Sequence, residues 1–275
     1  MKRKAGIIML IAIVLFSVLF GNAGIIETDN RLIPPSLEEP FGTDTLGRSL
    51  FERTAAGVGV SILSAFAVML FSIVIGVMLS FLYTLPHFPE EVILSLSDSL
   101  KAIPSIILAL FFASISGPGI VKMIIAISIS HISDIARTSY TRVSALLSED
   151  FIEAERAIGS SSFKIFRKMF RHLCPYLSLQ AVTVFLSALM AEATLSYLGC
   201  GIPVTIPSLG SILAEARPVM LSAPWMIAFP AIVLGLLGLS LELIALSFSE
   251  LDTSSEGSHE RELVSITKVS SDRKA

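Results

Sequence analysis

Residues able to do chemistry are sparse in this 275-residue chain, and their spacing argues against a reaction centre. His87, His131, His172 and His259 are scattered singly, and no pair of Cys or His has the spacing of a metal site. Cys174 and Cys200 bound one apolar stretch that, as a helix, holds them about 39 Å apart, too far for a disulfide. No G-x-x-x-x-G-K-[ST] loop occurs, so the chain lacks the glycine cradle and lysine that hold the phosphates of ATP. We expect no catalytic residue, no cofactor and no metal. What remains is a handful of acidic residues in or beside long apolar runs: Asp98, Asp134, Glu192 and Glu242.

Those runs dominate the chain. It is 53% hydrophobic and only 16% charged, with a mean hydropathy of +0.78, more apolar content than one soluble core can hide. The charges are clustered, and uncharged stretches of spanning length alternate with short charged segments. Candidate spans are Ala5 to Ile26, Thr54 to Pro89, Ala102 to Val121, Leu173 to Ala191 and Pro218 to Leu241, with a weaker one from Gly119 to Ala136. A basic start at Met1 to Lys4 followed by an apolar run is also the form of a secretory signal, but this run is too long for an h-region, so we read an uncleaved first helix. After Glu192 the apolar run is broken by Gly199, Gly201, Pro203, Pro207 and Gly210, which predicts a loop or a short re-entrant piece. Six crossings remain.

With the N-terminus in the cytoplasm, all of the 20 Lys and Arg residues except Arg31, Arg48, Arg53, Lys122 and Arg217 fall inside. The positive-inside rule then places both termini in the cytoplasm. Asp98 with Lys101 and Asp134 with Arg137 stand at i,i+3 spacing and read as interfacial ion pairs, with gating as the sharper alternative. Glu192, at the outer end of the fifth span, is a candidate for the solute path or for contact with a binding protein, against a packing or snorkelling role. Glu242 reads as snorkelling, and Phe111, Phe112 and Trp225 as lipid-facing or interfacial packing.

The longest inside loop, Arg137 to His172, carries the most information. Asp150 can cap a helix with Glu153 at N3 and Gly159 as the stop, giving about two turns from Phe151 to Ile158. A helix so short needs a partner. Beyond Ser160 to Ser162, Phe163, Phe166, Phe170 and Leu173 recur at helical spacing opposite Lys164, Arg167, Lys168 and Arg171. This predicts a second helix along the inner membrane surface, its apolar face in lipid or bundle. By charge alone the loop is equally a solvated connection. The tail from Thr253 to Ala275 is rich in Ser and in charges of both signs, which predicts disorder.

The segment FIEAERAIG, Phe151 to Gly159, resembles the EAA motif of ABC-importer permeases. FGTDTLGRS at Phe41 to Ser49, SDSLKAIP at Ser97 to Pro104, and SYLGCGIPVTIPSLGSILAEARPVMLSAPWMIAFP at Ser196 to Pro230 resemble segments of the dipeptide, oligopeptide and nickel permease family. The chain departs from these patterns at Glu155, where alanine is usual, at Ser49 and Leu209, in an extra turn between Gly159 and Pro175, and at the ending Leu241 to Glu250. The resemblance implies an all-α membrane protein of six transmembrane helices, the type I ABC-importer permease fold, with a cytoplasmic coupling helix that docks in an ATPase subunit. It implies an N-terminal transmembrane helix at 1–26, an extracytoplasmic loop at 27–56, a five-helix permease domain at 57–250 with the EAA loop at about 149–175, and the tail at 251–275.

The same resemblance implies a permease of the cytoplasmic membrane that moves di- or oligopeptides and is not itself an enzyme. Its partners would be a second homologous permease, two ABC ATPase subunits and an extracytoplasmic solute-binding protein, with no nucleic acid. Phe151, Glu153, Ala154, Ala157 and Gly159 would make the ATPase contact, while Asp98 and Glu192 would line the gate or solute path. The alternatives are the same transporter class carrying nickel or oligosaccharides, an ion-coupled secondary transporter, and a membrane scaffold. An ion-coupled transporter needs ionisable groups at mid-membrane and commonly shows repeated halves, and neither is visible.

Overall fold

The computed structural model describes residues 2–22, 26–82, 95, 99, 104–147 and 149–272. Asp98 and Lys101 lie outside the described residues, so their expected pairing and gating roles stay as sequence expectations. Eight α-helices occur among the described residues: α1 Lys2–Phe20, α2 Leu50–Leu82, α3 Ser105–Ser116, α4 Ile120–Leu147, α5 Asp150–Ala157, α6 Ser162–Tyr197, α7 Leu209–Ala216 and α8 Trp225–Asp272. No strand occurs among them, only an isolated bridge from Thr43 to Ser49. Among the described residues, four helical stretches are long and apolar enough to cross a bilayer: Lys2–Phe20, Leu50–Leu82, Ser162–Tyr197 and Trp225–Phe248. At 12 residues, α3 reaches about 18 Å, short of the ~30 Å hydrocarbon core. With 28 residues α4 is long enough, but it carries Lys122, His131, Asp134, Arg137 and Arg142.

The bundle is built around α2. Its buried face is a run of small residues, Gly57, Ser61, Ser64, Ala65, Ser72, Gly76 and Ser80, at helical spacing. Small side chains let helix backbones approach where lipid gives no hydrophobic drive to association. At Gly76 the approach is so close that an added Cβ would stand 2.5 Å from Ile135 Cγ2 of α4. The central core joins Val58, Ala65 and Val68 of α2 to Met123, Ala126 and Ile127 of α4, Ala188, Leu189 and Leu195 of α6, and Leu237 and Leu241 of α8.

Three expectations are corrected here. The predicted surface helix and the fifth span are one continuous α6 with Pro175 inside it. Its buried stripe is Ile165, Met169 and Leu173, which seat on Val143 of α4 and Ile152 of α5, while Phe163 and Phe170 are exposed. That shared stripe continues the packed face of the span, and packing outweighs the one backbone bond the proline removes. The tail continues as helix through Asp272, where composition predicts disorder. Glu260, Arg261, Glu262 and Leu263 are good helix formers, and extending an existing helix gains a bond for each residue fixed. The second span begins at Leu50, so Arg53 belongs to its first turn and not to the preceding loop.

Candidate functional site

Each end of α6 carries a polar constellation of described residues. At its Ser162 end sits α5, the short helix predicted from the sequence, here Asp150–Ala157. Its start is held by backbone: the Glu149 carbonyl accepts from the N–H of Ile152 at 2.9 Å and of Glu153 at 3.4 Å. The expected reciprocal cap by Glu153 is therefore corrected, since its exposed side chain makes no hydrogen bond among the described residues. The stop is as predicted. Gly159 has φ +77°, and the N–H of Ser160 donates to the Glu155 carbonyl at 3.0 Å, closing the left-handed C-terminal turn that favours glycine.

One residue of α5, Ile152, is fully buried, plugged between Val143, Ile165 and Met169. Phe151, Glu153, Ala154 and Ala157 stay exposed, with Ile158 74% exposed beyond them. Phe151, Ala154, Ala157 and Ile158 make much of this exposed face apolar, with Glu153 exposed beside them. At the far end of α5, Lys168 of α6 and the Ser160 hydroxyl both donate to the Glu155 carboxylate, and these two bonds hold its pKa below the usual carboxylate value. Between α5 and α6 lies a cleft of 590 Å³ lined by Phe151, Arg167, Lys168, Arg171 and His172. Nearby, the Arg142 guanidinium stands 3.7 Å over the Tyr176 ring and ties α4 to α6 just past Pro175.

At the Tyr197 end the residues are buried. Asp44 is fully shut from solvent and accepts from the backbone N–H of Leu46 and Arg48 on Oδ1, and from Arg48 Nε and Arg53 on Oδ2. Arg53 is 1% exposed and also donates to Glu215 of α7 at 2.5 Å, while Arg48 reaches the same carboxylate at 3.2 Å. Two cations and two anions balance. They join the loop before α2, the first turn of α2 and the end of α7. Aromatic contacts close the same region: Phe41 stacks on Phe229 at 4.3 Å and packs on Phe51 at 5.0 Å, and Trp225 Nε1 donates to the Thr43 carbonyl at 3.4 Å. Trp225 therefore packs within the protein. The resembling segments around Thr43, Glu215 and Trp225, far apart in sequence, meet here.

Glu192 lies one turn inside this end and is 1% exposed, packed within the protein and not snorkelling. Its Oε1 accepts from the Ser196 hydroxyl at 2.9 Å; Oε2 has no hydrogen-bond partner among the described residues. Ser61 and Ser208 flank the carboxylate, and Ser61 in turn accepts from the Leu209 N–H at 3.1 Å. The helix α7, begun by a capping box between Ser208 and Ser211, is docked by this serine-rich pocket. Asp134 lies 4.0 Å from His131 on α4. The sequence reading missed Asp44, Arg53 and Glu215 as a unit; the signal was a charged residue within the first turn of a span, which burial must pair.

Residues 72–249 match the family model described as binding-protein-dependent transport system inner membrane component. A Brucella suis protein named as a peptide transport system permease is 32% identical, covering 89% of this chain and 86% of its own. The dipeptide transport system permease protein DppC of Alkalihalophilus pseudofirmus is 31% identical, over 90% of this chain and 83% of its own. The oligopeptide transport system permease protein OppC of Bacillus subtilis is 30% identical, over 82% and 75%.

Proposed function

The chain belongs to the family of binding-protein-dependent transport system inner membrane components, and on that premise we propose that it is the permease subunit of an ATP-driven importer that carries di- or oligopeptides inward. The solute class is supported by relatives that span most of the chain and are named for peptide, dipeptide and oligopeptide transport. We assign six crossings, five to α1, α2, α4, α6 and α8 and one to the apolar run from Ala102 to Val121 within which α3 lies, with α7 re-entrant and both termini in the cytoplasm. A second permease, two ATPase subunits and a solute-binding protein complete the machine.

The observation that carries the mechanism is α5: a two-turn helix plugged into the bundle by Ile152 and presenting Phe151, Ala154 and Ala157 outward. Ala154 and Ala157 leave room for close approach, and Phe151 supplies the anchor. ATP binding draws the ATPases together, α5 moves with them, and the Ile152 contact passes the movement to α4 and α6. Only a difference in affinity between the inward-open and outward-open states does work, so α5 stays docked in both. Glu192 contributes by fixing α7 at the opposite end.

Gly159→Val tests this. A β-branched residue at φ +77° costs about 1–3 kcal/mol, and with nothing within 4 Å of an added Cβ the strain is in the backbone and confined to the turn. In a host lacking peptide uptake, dialanine uptake is expected to fall about tenfold while the amount of protein in the membrane is unchanged. Normal uptake in that variant counts against the assignment of α5.

A further inference from the structure

The turn that joins α5 to α6 is unsupported by packing. An added Cβ at Gly159 meets nothing within 4 Å, and Ile158 beside it is largely exposed. Ile152 and the Phe151–His172 ring contact at 5.7 Å hold only the first turn of α5, so with these alone its far end could swivel and motion imposed on its outward face would dissipate in the Gly159 turn. An attachment at the far end exists. Glu155, one turn beyond Ile152, receives Lys168 from the second turn of α6 and the Ser160 hydroxyl from the turn itself. Its side chain is 12% exposed against 47% for Lys168, so the carboxylate is the seated partner and the lysine reaches over it. Ile152 and Glu155 stand about 4.5 Å apart along the helix axis, and two anchors at that separation fix orientation as well as position.

We propose that Glu155 and Lys168 form a strap that makes α5 and the first turns of α6 one rigid lever, Glu155 being a positioning residue for transport. This rests on α5 being the ATPase-docking helix. The strap adds little to overall stability, because a partly exposed ion pair is worth little. What it does is remove one soft degree of freedom between the site where force enters and the helix that crosses the bilayer. Salt weakens such a pair, so coupling through it is sensitive to ionic strength.

The test uses the complete complex in lipid nanodiscs or vesicles, with Cys174 and Cys200 replaced by serine. Spin labels at positions 158 and 183 report the α5–α6 distance, a photo-crosslinker at position 157 reports ATPase contact, and a labelled mixture of di- to penta-alanine reports transport per ATP hydrolysed. Glu155→Ala and Lys168→Ala are each expected to broaden the distance distribution and to lower transport per ATP about threefold. The exchange Glu155→Lys with Lys168→Glu is expected to restore both. Raising salt from ~0.05 to ~0.5 M should move the parent toward the single variants and leave those variants unmoved. An unchanged distance distribution in Glu155→Ala, or an exchange that restores nothing, overturns the strap while the docking adduct at position 157 still stands. Absence of any ATPase adduct at position 157 in the parent overturns the assignment of α5 and the strap together.

Discussion

The two ends of α6 solve the problem of charge in opposite ways. At the clasp around Asp44, the Asp44 and Arg53 side chains are drawn fully into the protein and pair there, with Arg48 and Glu215 completing the network from its partly exposed rim. At the lever, Arg167, Lys168, Arg171 and Glu153 stay in solvent and, among the described residues, α5 is held by the Ile152 plug, the Phe151–His172 ring contact and the Glu155–Lys168 pair. Buried, mutually paired charges tolerate almost no displacement, because each partner lost leaves an uncompensated ion. Exposed contacts and a single plug fix orientation as well, but they open at smaller cost. The difference separates a buried block from a joint whose orientation is set by contacts that open more easily.

Breaking the clasp should have the largest effect. Arg53→Met leaves Asp44 and Glu215 without their buried counter-charge, an expected loss of ~3–5 kcal/mol, measured as a lowered unfolding midpoint in detergent. An unchanged midpoint would mean that the network contributes nothing to rigidity. Ile152→Ala should cost ~2–4 kcal/mol, and locally: hydrogen exchange should accelerate in residues 149–160 and not around Asp44. Equal acceleration at both ends would erase the distinction between block and joint.

The smallest effect is expected from pH. The carboxylate of Glu155, faced by Lys168 and Lys164, has its pKa held below the ordinary 4.5, chiefly by the bond from Lys168 and then that from Ser160. Its contribution is present above the unfolded value and is lost as pH falls through the lowered folded one. The α5–α6 distance distribution should therefore stay narrow down to the ordinary carboxylate range and broaden only below it. Broadening already near neutral pH would show that the pair does not hold α5.

Much of the lever is legible in the order of its residues. Gly159 as a stop and a two-turn helix ahead of it follow from local chemistry, since only a residue without Cβ readily takes φ +77° and eight residues make two turns. The register of the following helix is not, because Phe163 and Phe170 satisfy the helical period as well as Ile165 and Met169 do. Periodicity names a stripe; it cannot say which stripe meets a neighbour.

The sequence by itself determined that this is a helical membrane protein with long apolar spans, a broken segment after Glu192 and a short helix between charged flanks. These are properties of composition and of near neighbours. Only the tertiary structure decided that Arg48 and Arg53 pair with Glu215, more than 160 positions later, that Glu192 is sealed behind α7, and that Lys168 closes on Glu155. Pairing across such separations depends on how helices pack in three dimensions, and the desolvation that makes those charges choose partners arises only once they are packed.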